Sequence, residues 1–233
     1  MNKRILLGAL FVTVLTVSTL ALRRGWVAIP DRLAPWAPLR IDAEPNVLTR
    51  YKLWRLTGDS ELCDRVLATA DMQYEPLPDR QTGEACGLYH AVRIERTTAR
   101  VSAPFAFSCR AAVSLALWER HALQPAAEKH FNSRVTLIEH FGSYSCRNVY
   151  NRATADRSRH ATAEALDVAG FVLADGKRIR VVNDWKDDSE QSRFLHDARD
   201  GACRFFDVVL SPDYNVAHRD HLHLDRGPYR LCR

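Results

Sequence analysis

Ala165-Leu166-Asp167-Val168-Ala169-Gly170-Phe171 is an apolar run with a single acid near its centre. Continued to Leu173, it predicts a strand, and Asp175-Gly176 supplies the turn chemistry that returns the chain as a second strand over Ile179–Trp185. An ionised carboxylate inside such a strand costs on the order of several kcal/mol unless it is paired or bound to a cation. Asp167 therefore needs a partner from elsewhere in the chain.

Upstream, Ser158-Arg159-His160 places an imidazole seven positions before Asp167. On one helix the two would lie about 10 Å apart along the axis, and on one strand an odd separation would put them on opposite faces. The workable geometry brings His160 from a loop and Asp167 from the strand behind it. Downstream, three of the nine histidines fall within His218-Arg219-Asp220-His221-Leu222-His223-Leu224-Asp225. Leu222 and Leu224 alternate with His221, His223 and Asp225, so a strand there presents two imidazoles and a carboxylate on one face. Two histidines, one aspartate and an open position suit a catalytic rather than a structural zinc, although nitrogen and oxygen ligands admit other divalent ions.

Around these segments, helices are expected over Asp59–Ala70, over Phe107–Ala122 with apolar residues at helical spacing, and from Asp187-Asp188-Ser189-Glu190 to Arg199. Further strands are expected near Gly87–Ile94, over Val135–Phe141 leading into Gly142-Ser143-Tyr144-Ser145-Cys146-Arg147, and over Phe205–Leu210 and His221–Asp225. The fold class is α+β, a small antiparallel sheet with flanking helices. Cys63, Cys86, Cys109, Cys146, Cys203 and Cys232 form no CxxC pair, which points to disulfides and an oxidising compartment, with the pairing open.

The uncharged run Ile5–Leu22 follows Asn2, Lys3 and Arg4 and is close to the length that crosses a bilayer. Residues 1–24 are thus expected to form a transmembrane anchor or a signal sequence. Residues 25–46 form a Pro-containing linker and residues 47–233 the globular domain. The domain is expected to be periplasmic, held at the inner membrane, or secreted if the first segment is cleaved. Lys3, Arg4, Arg23 and Arg24 carry four of the five net positive charges, so the remainder is nearly neutral and nucleic-acid binding finds no support.

Ser158-x-His160-x6-Asp167 with His221-x-His223 resembles the two-part signature of the zinc peptidases that include bacterial D-Ala-D-Ala carboxypeptidases and lysostaphin-type endopeptidases, a fold shared with hedgehog signalling domains. Over about residues 60–233 the chain resembles, more narrowly, the bacterial extensin-like C-terminal domain family. The resemblance implies a zinc ion held by His160, Asp167 and His223, and a base at His221 or Asp220, where strand alternation favours His221. It also implies that Arg147 holds a substrate carboxylate or carbonyl. Tyr144, Asp184 and Trp185 are candidate pocket residues, while His218 and Asp225 are candidate partners of ligating imidazoles. The implied activity is hydrolysis of amide bonds in peptidoglycan stem peptides, as a D,D-carboxypeptidase or endopeptidase. The alternative is a non-catalytic zinc-containing domain that binds cell wall or protein. Carboxypeptidase relatives carry a glycine between the first His and the Asp, whereas this chain reads Ala161-Thr162-Ala163-Glu164-Ala165. The Ser-Pro-Pro repeats of plant extensins are absent.

Overall fold

The computed structural model describes residues 3–26 and 29–233; residues 1 and 2 of the expected anchor and 27 and 28 of the expected linker lie outside them. The chain divides into two units, Met1–Ala37 and Pro38–Arg233. In the first, α1 (Lys3–Arg23) contains a 19-residue stretch, Lys3–Ala21, long and apolar enough to cross a membrane. Thr13, Thr16 and Thr19 donate their hydroxyls to carbonyls four residues back, so these side-chain donors are satisfied within the helix. The second unit begins at Pro38 rather than at residue 47: Leu39 and Ile41, expected as spacer, are buried in its core.

Within that unit, α2 (Thr49–Arg55) and α3 (Ser60–Leu67) come first, and the Asp59 side chain caps α3 by accepting the Leu62 amide. The strands are β1 (Gln73–Leu77), β2 (Arg80–Gly83), β3 (Cys86–Leu88), β4 (Ala91–Arg96), β5 (Arg100–Ser108) and β6 (Val135–Gly142). They continue with β7 (Ala165–Leu173), β8 (Arg178–Arg180), β9 (Val208–Leu210), β10 (Leu222–Asp225) and β11 (Leu231–Cys232). Nine of them form one sheet in the order β1-β4-β5-β6-β7-β10-β9-β11, with β8 also paired to β7; β2 and β3 form a separate hairpin. The sheet is therefore larger than the small antiparallel one expected, and it is mixed, because β5/β6 and β9/β11 run parallel. The first parallel pair is possible because a helical crossover joins its strands. That crossover is α4 (Cys109–Trp118), a π-turn over Glu119–Leu123 and α5 (Gln124–Phe131).

Three expected elements change at their ends for local reasons. The helix expected from Phe107 starts at Cys109, because Phe107 and Ser108 pair with Val92 and Ala91 as the end of β5. The strand expected over Ile179–Trp185 stops at Arg180, where the Asp184 carboxylate accepts the Arg180 amide and the chain turns into α6 (Val181–Asp184). After α7 (Glu190–Ala202), capped by Ser189, the amides of Phe205 and Phe206 both donate to the Ala202 carbonyl, which delays β9 to Val208.

The helices and one sheet face share a core in which Trp118, Phe171 and Phe194 are fully buried, and the Trp118 indole donates to the Ala198 carbonyl of α7. Three disulfides, Cys63–Cys109, Cys86–Cys146 and Cys203–Cys232, tie α3 to α4, β3 to the loop after β6, and the end of α7 to β11.

Gly170 is the tightest point of β7 against β8: a Cβ there would lie 2.5 Å from the Ile179 carbonyl oxygen. Gly170→Ala is expected to destabilise the domain by about 1–3 kcal/mol through overpacking, read as a lower urea midpoint with an unchanged slope.

Candidate metal centre

β7 and β10 pair antiparallel with His223 directly opposite Asp167, and with Leu222 opposite Val168 and Leu224 opposite Leu166. The four apolar residues belong to the core, so alternation turns Asp167, His223 and Asp225 to the other face. His160 arrives from a short 3₁₀ turn, Arg159–Thr162, in which the Ser158 hydroxyl oxygen caps the turn by accepting the His160 amide. That turn ends at Ala163 in the left-handed region, φ 52°, where glycine would be favoured.

These elements bring His160, Asp167 and His223 together, each offering a ligand atom within 4.8 Å of the others. His160 Nε2 is 3.1 Å from Asp167 Oδ2 and 3.2 Å from His223 Nδ1, which is itself 2.9 Å from Asp167 Oδ1. The outer nitrogens are tied: His160 Nδ1–H donates to the Ser143 carbonyl at 2.8 Å, and His223 Nε2–H to Asp225 Oδ2 at 3.0 Å. Such partners fix ring orientation and, once the inner nitrogens are deprotonated, leave them free to accept, the arrangement a divalent ion requires of imidazole ligands. The donor set fits zinc and, with no thiolate, other divalent ions of similar preference.

His221 joins the cluster from the residue before β10. Its Nδ1–H donates to Asp220 Oδ1 at 2.9 Å, while Nε2 faces Asp167 Oδ1 at 3.5 Å. His218 Nδ1 bonds to Asn215 Oδ1 at 2.8 Å, and its ring centre lies 5.2 Å from that of His221 and 5.9 Å from that of His223. A cavity of about 420 Å³ opens over the cluster, with Arg147, Arg159, Tyr150 and Tyr229 among its walls.

Tyr144 does not line this cavity: its hydroxyl bonds to Thr82 and its ring packs against the cluster of Leu88, Ala91 and Ala163. Asp184 and Trp185 are also elsewhere, the first holding the Arg180 amide and the second stacked on His196 and bonded to Asp213. Sequence reading assigned no role to Arg159, Tyr150 or the Ser143 carbonyl. Arg159 sits between Ser158 and His160, but nothing in the sequence aims it at the cavity.

The electrostatics follow from burial and proximity. Burial opposes ionisation of Asp167, yet hydrogen bonds and charge from His160 and His223 hold its carboxyl well below the usual range. Burial also opposes a charge on His223, and the Asp167 and Asp225 carboxylates outweigh it, pushing that imidazole up to about 9. Burial, then repulsion from His223 and His221, lowers His218 to about 4.

The family model described as extensin-like protein C-terminus matches residues 61–233, about three quarters of the chain. No curated protein and no solved structure matches it.

In metal-free protein these shifts set opposite limits on stability. The raised His223 contributes stability that is complete below about pH 6.5 and lost as pH climbs through about 9. The lowered Asp167 contributes stability present above about pH 4 and lost on further acidification. Unfolding free energy measured with chelator is expected to fall between pH 7 and 9.5 (about one proton taken up on folding), and His223→Gln should flatten that alkaline limb. An unchanged slope in the variant would show that His223 is not the proton carrier.

Proposed function

The chain belongs to the extensin-like protein C-terminus family, and on that premise and the geometry above we propose that it is a zinc-dependent peptidase of peptidoglycan stem peptides. The observation that carries this reading is the convergence of two tautomer-fixed imidazoles and a carboxylate at one point, with the free nitrogen of a third, carboxylate-oriented imidazole facing the same point. His160, Asp167 and His223 would hold the ion. When bound, zinc supplies Lewis-acid polarisation of the scissile carbonyl and acidifies a water.

The chain's own residues then divide the remaining work. His221 accepts the proton of the attacking water at Nε2 and returns it to the leaving amine, while Asp220 accepts the Nδ1–H, keeping that tautomer and stabilising the imidazolium. The two candidate bases thus act as a pair, with His221 at the reacting atoms and Asp220 positioning it. Arg147, in the cavity wall, presents a guanidinium fork suited to a substrate carboxylate. His218, held neutral by its low pKa, adds no competing charge. The apolar helix α1 serves as membrane anchor or signal sequence, and the three disulfides suit an extracytoplasmic compartment, where peptidoglycan lies.

Purified chain is expected to carry one zinc, and His160→Ala or His223→Ala to lose it. Full retention of zinc in both would remove the ligand assignment. At unchanged zinc content, His221→Ala should slow peptidoglycan digestion by about 10²–10⁴-fold, and Asp220→Ala by about 10–100-fold. If wild type binds zinc and peptidoglycan but releases no product, the non-catalytic reading replaces the enzymatic one. Wild-type rates in both variants would end the proposed mechanism.

A further inference from the structure

A second groove, about 560 Å³ in volume, adjoins the metal cavity and shares Arg159, Gly227 and Pro228 with it as a common wall. Its charge is unbalanced. Arg110 and Arg159 both bond to Glu164, and Arg50 and Arg226 both bond to Asp207 at 2.9 and 3.1 Å, so four guanidiniums share two carboxylates. Arg226 is only 4% exposed, and its Nε is a buried donor with no partner. Arg159 spends one Nη on Glu164 and lies at the junction of the two cavities with its side chain about a third exposed.

Excess cationic charge in a partly desolvated groove favours an anion, because Coulomb energy there is less screened than in water. The groove also has an apolar ledge. Tyr51 and Trp54 of α2 line it with ring centres 5.9 Å apart, 45% and 65% exposed. An aliphatic stem ending in a carboxylate matches both features, whereas a bare inorganic anion uses only one.

We propose that this groove is a second substrate subsite that takes a free carboxylate, on an aliphatic stem, of the same peptide whose amide bond lies at the metal centre. The inference rests on the peptidase reading, since stem peptides carry several carboxylates of this kind. Arg159 is the specificity-determining contact, because it reaches both cavities and its guanidinium is the least committed to internal partners.

The test separates binding from turnover. In EDTA-treated full-length chain in detergent, calorimetry compares a synthetic stem peptide with free carboxylates against its fully amidated form, in wild type, Arg159→Gln and Trp54→Ala. Wild type is expected to prefer the acidic peptide by about tenfold or more, the size of one charge-assisted pair. Arg159→Gln should cut the preference by about tenfold, to whatever share Arg147 supplies in the metal cavity. Trp54→Ala, at an exposed position that leaves the core intact, should weaken binding of the acidic peptide several-fold. Equal affinity for the two peptides in wild type, or an undiminished preference in Arg159→Gln with Trp54→Ala also unchanged, overturns the subsite. Tighter binding of peptide-free glycan strands than of the acidic peptide overturns the assignment to peptide. Digestion by the zinc-loaded chain is measured separately: loss of preference with digestion intact overturns the subsite alone, and preference without digestion overturns the peptidase reading alone.

Discussion

A single carboxylate placed inside a sheet strand is the constraint on which this domain depends. Asp167 lies between Leu166 and Val168, both core residues, and cannot remain charged without partners. Three imidazoles, on His160, His223 and His221, lie within 3.5 Å of its oxygens. This requirement and the hydrophobic effect fix the same register. A one-residue slip of β10 against β7 would move every side chain to the opposite face, turning His223 into the core and Leu222 or Leu224 into the cavity. Strand pairing and site assembly are therefore one event rather than two.

The third arm of the site is held from outside the sheet. His160 is positioned through the loop after β6: the Ser143 carbonyl takes its Nδ1–H, and the Ser145 amide returns a bond to the His160 carbonyl at 3.0 Å. The Ser158 amide reaches the Arg147 carbonyl at 3.1 Å in the same crossing. The Cys86–Cys146 disulfide fastens this loop to the β2–β3 hairpin, between the residue that orients His160 and the arginine in the cavity wall. A polar loop of this kind, with few apolar residues to bury, would otherwise be free to open locally. Covalent closure of such a long loop restricts its open forms.

Much of this was legible in the sequence, for identifiable reasons. The span of β7 was readable because its apolar run is bounded by an Asp-Gly turn, and the shared face of His221, His223 and Asp225 followed from alternation with Leu222 and Leu224. The need for a partner at Asp167 followed from the cost of burying charge. What could not be read depends on contacts between distant residues. The parallel pairing of β5 with β6, the disulfide pairing and the seating of Tyr144 against Thr82 are all set by packing. Likewise β8 and β9 are shortened by a side-chain bond from Asp184 and by the amides following α7, which compete with strand pairing without altering the apolar pattern. The core contribution of Leu39 and Ile41 was hidden by the prolines around them, which read as linker.

The hydrogen bonds around the site also set its electrostatic balance. With the outer nitrogens of His160 and His223 donating to Ser143 and Asp225, the inner nitrogens would, if unprotonated, join the Asp167 carboxylate as acceptors that converge on one another. Three facing acceptors repel unless something positive lies among them. In metal-free protein that charge is a proton, which is why His223 is pushed up to about 9 against the cost of burial. It settles there rather than on His218, which has no carboxylate in contact and is driven down to about 4 by burial first and then by its charged neighbours. A divalent ion would answer the same demand more fully, since one ion could engage all three groups where one proton can bridge only two. On the proposed metal site, ion and proton would therefore compete for the same position between two oriented imidazoles and a carboxylate, and binding of the first would require release of the second.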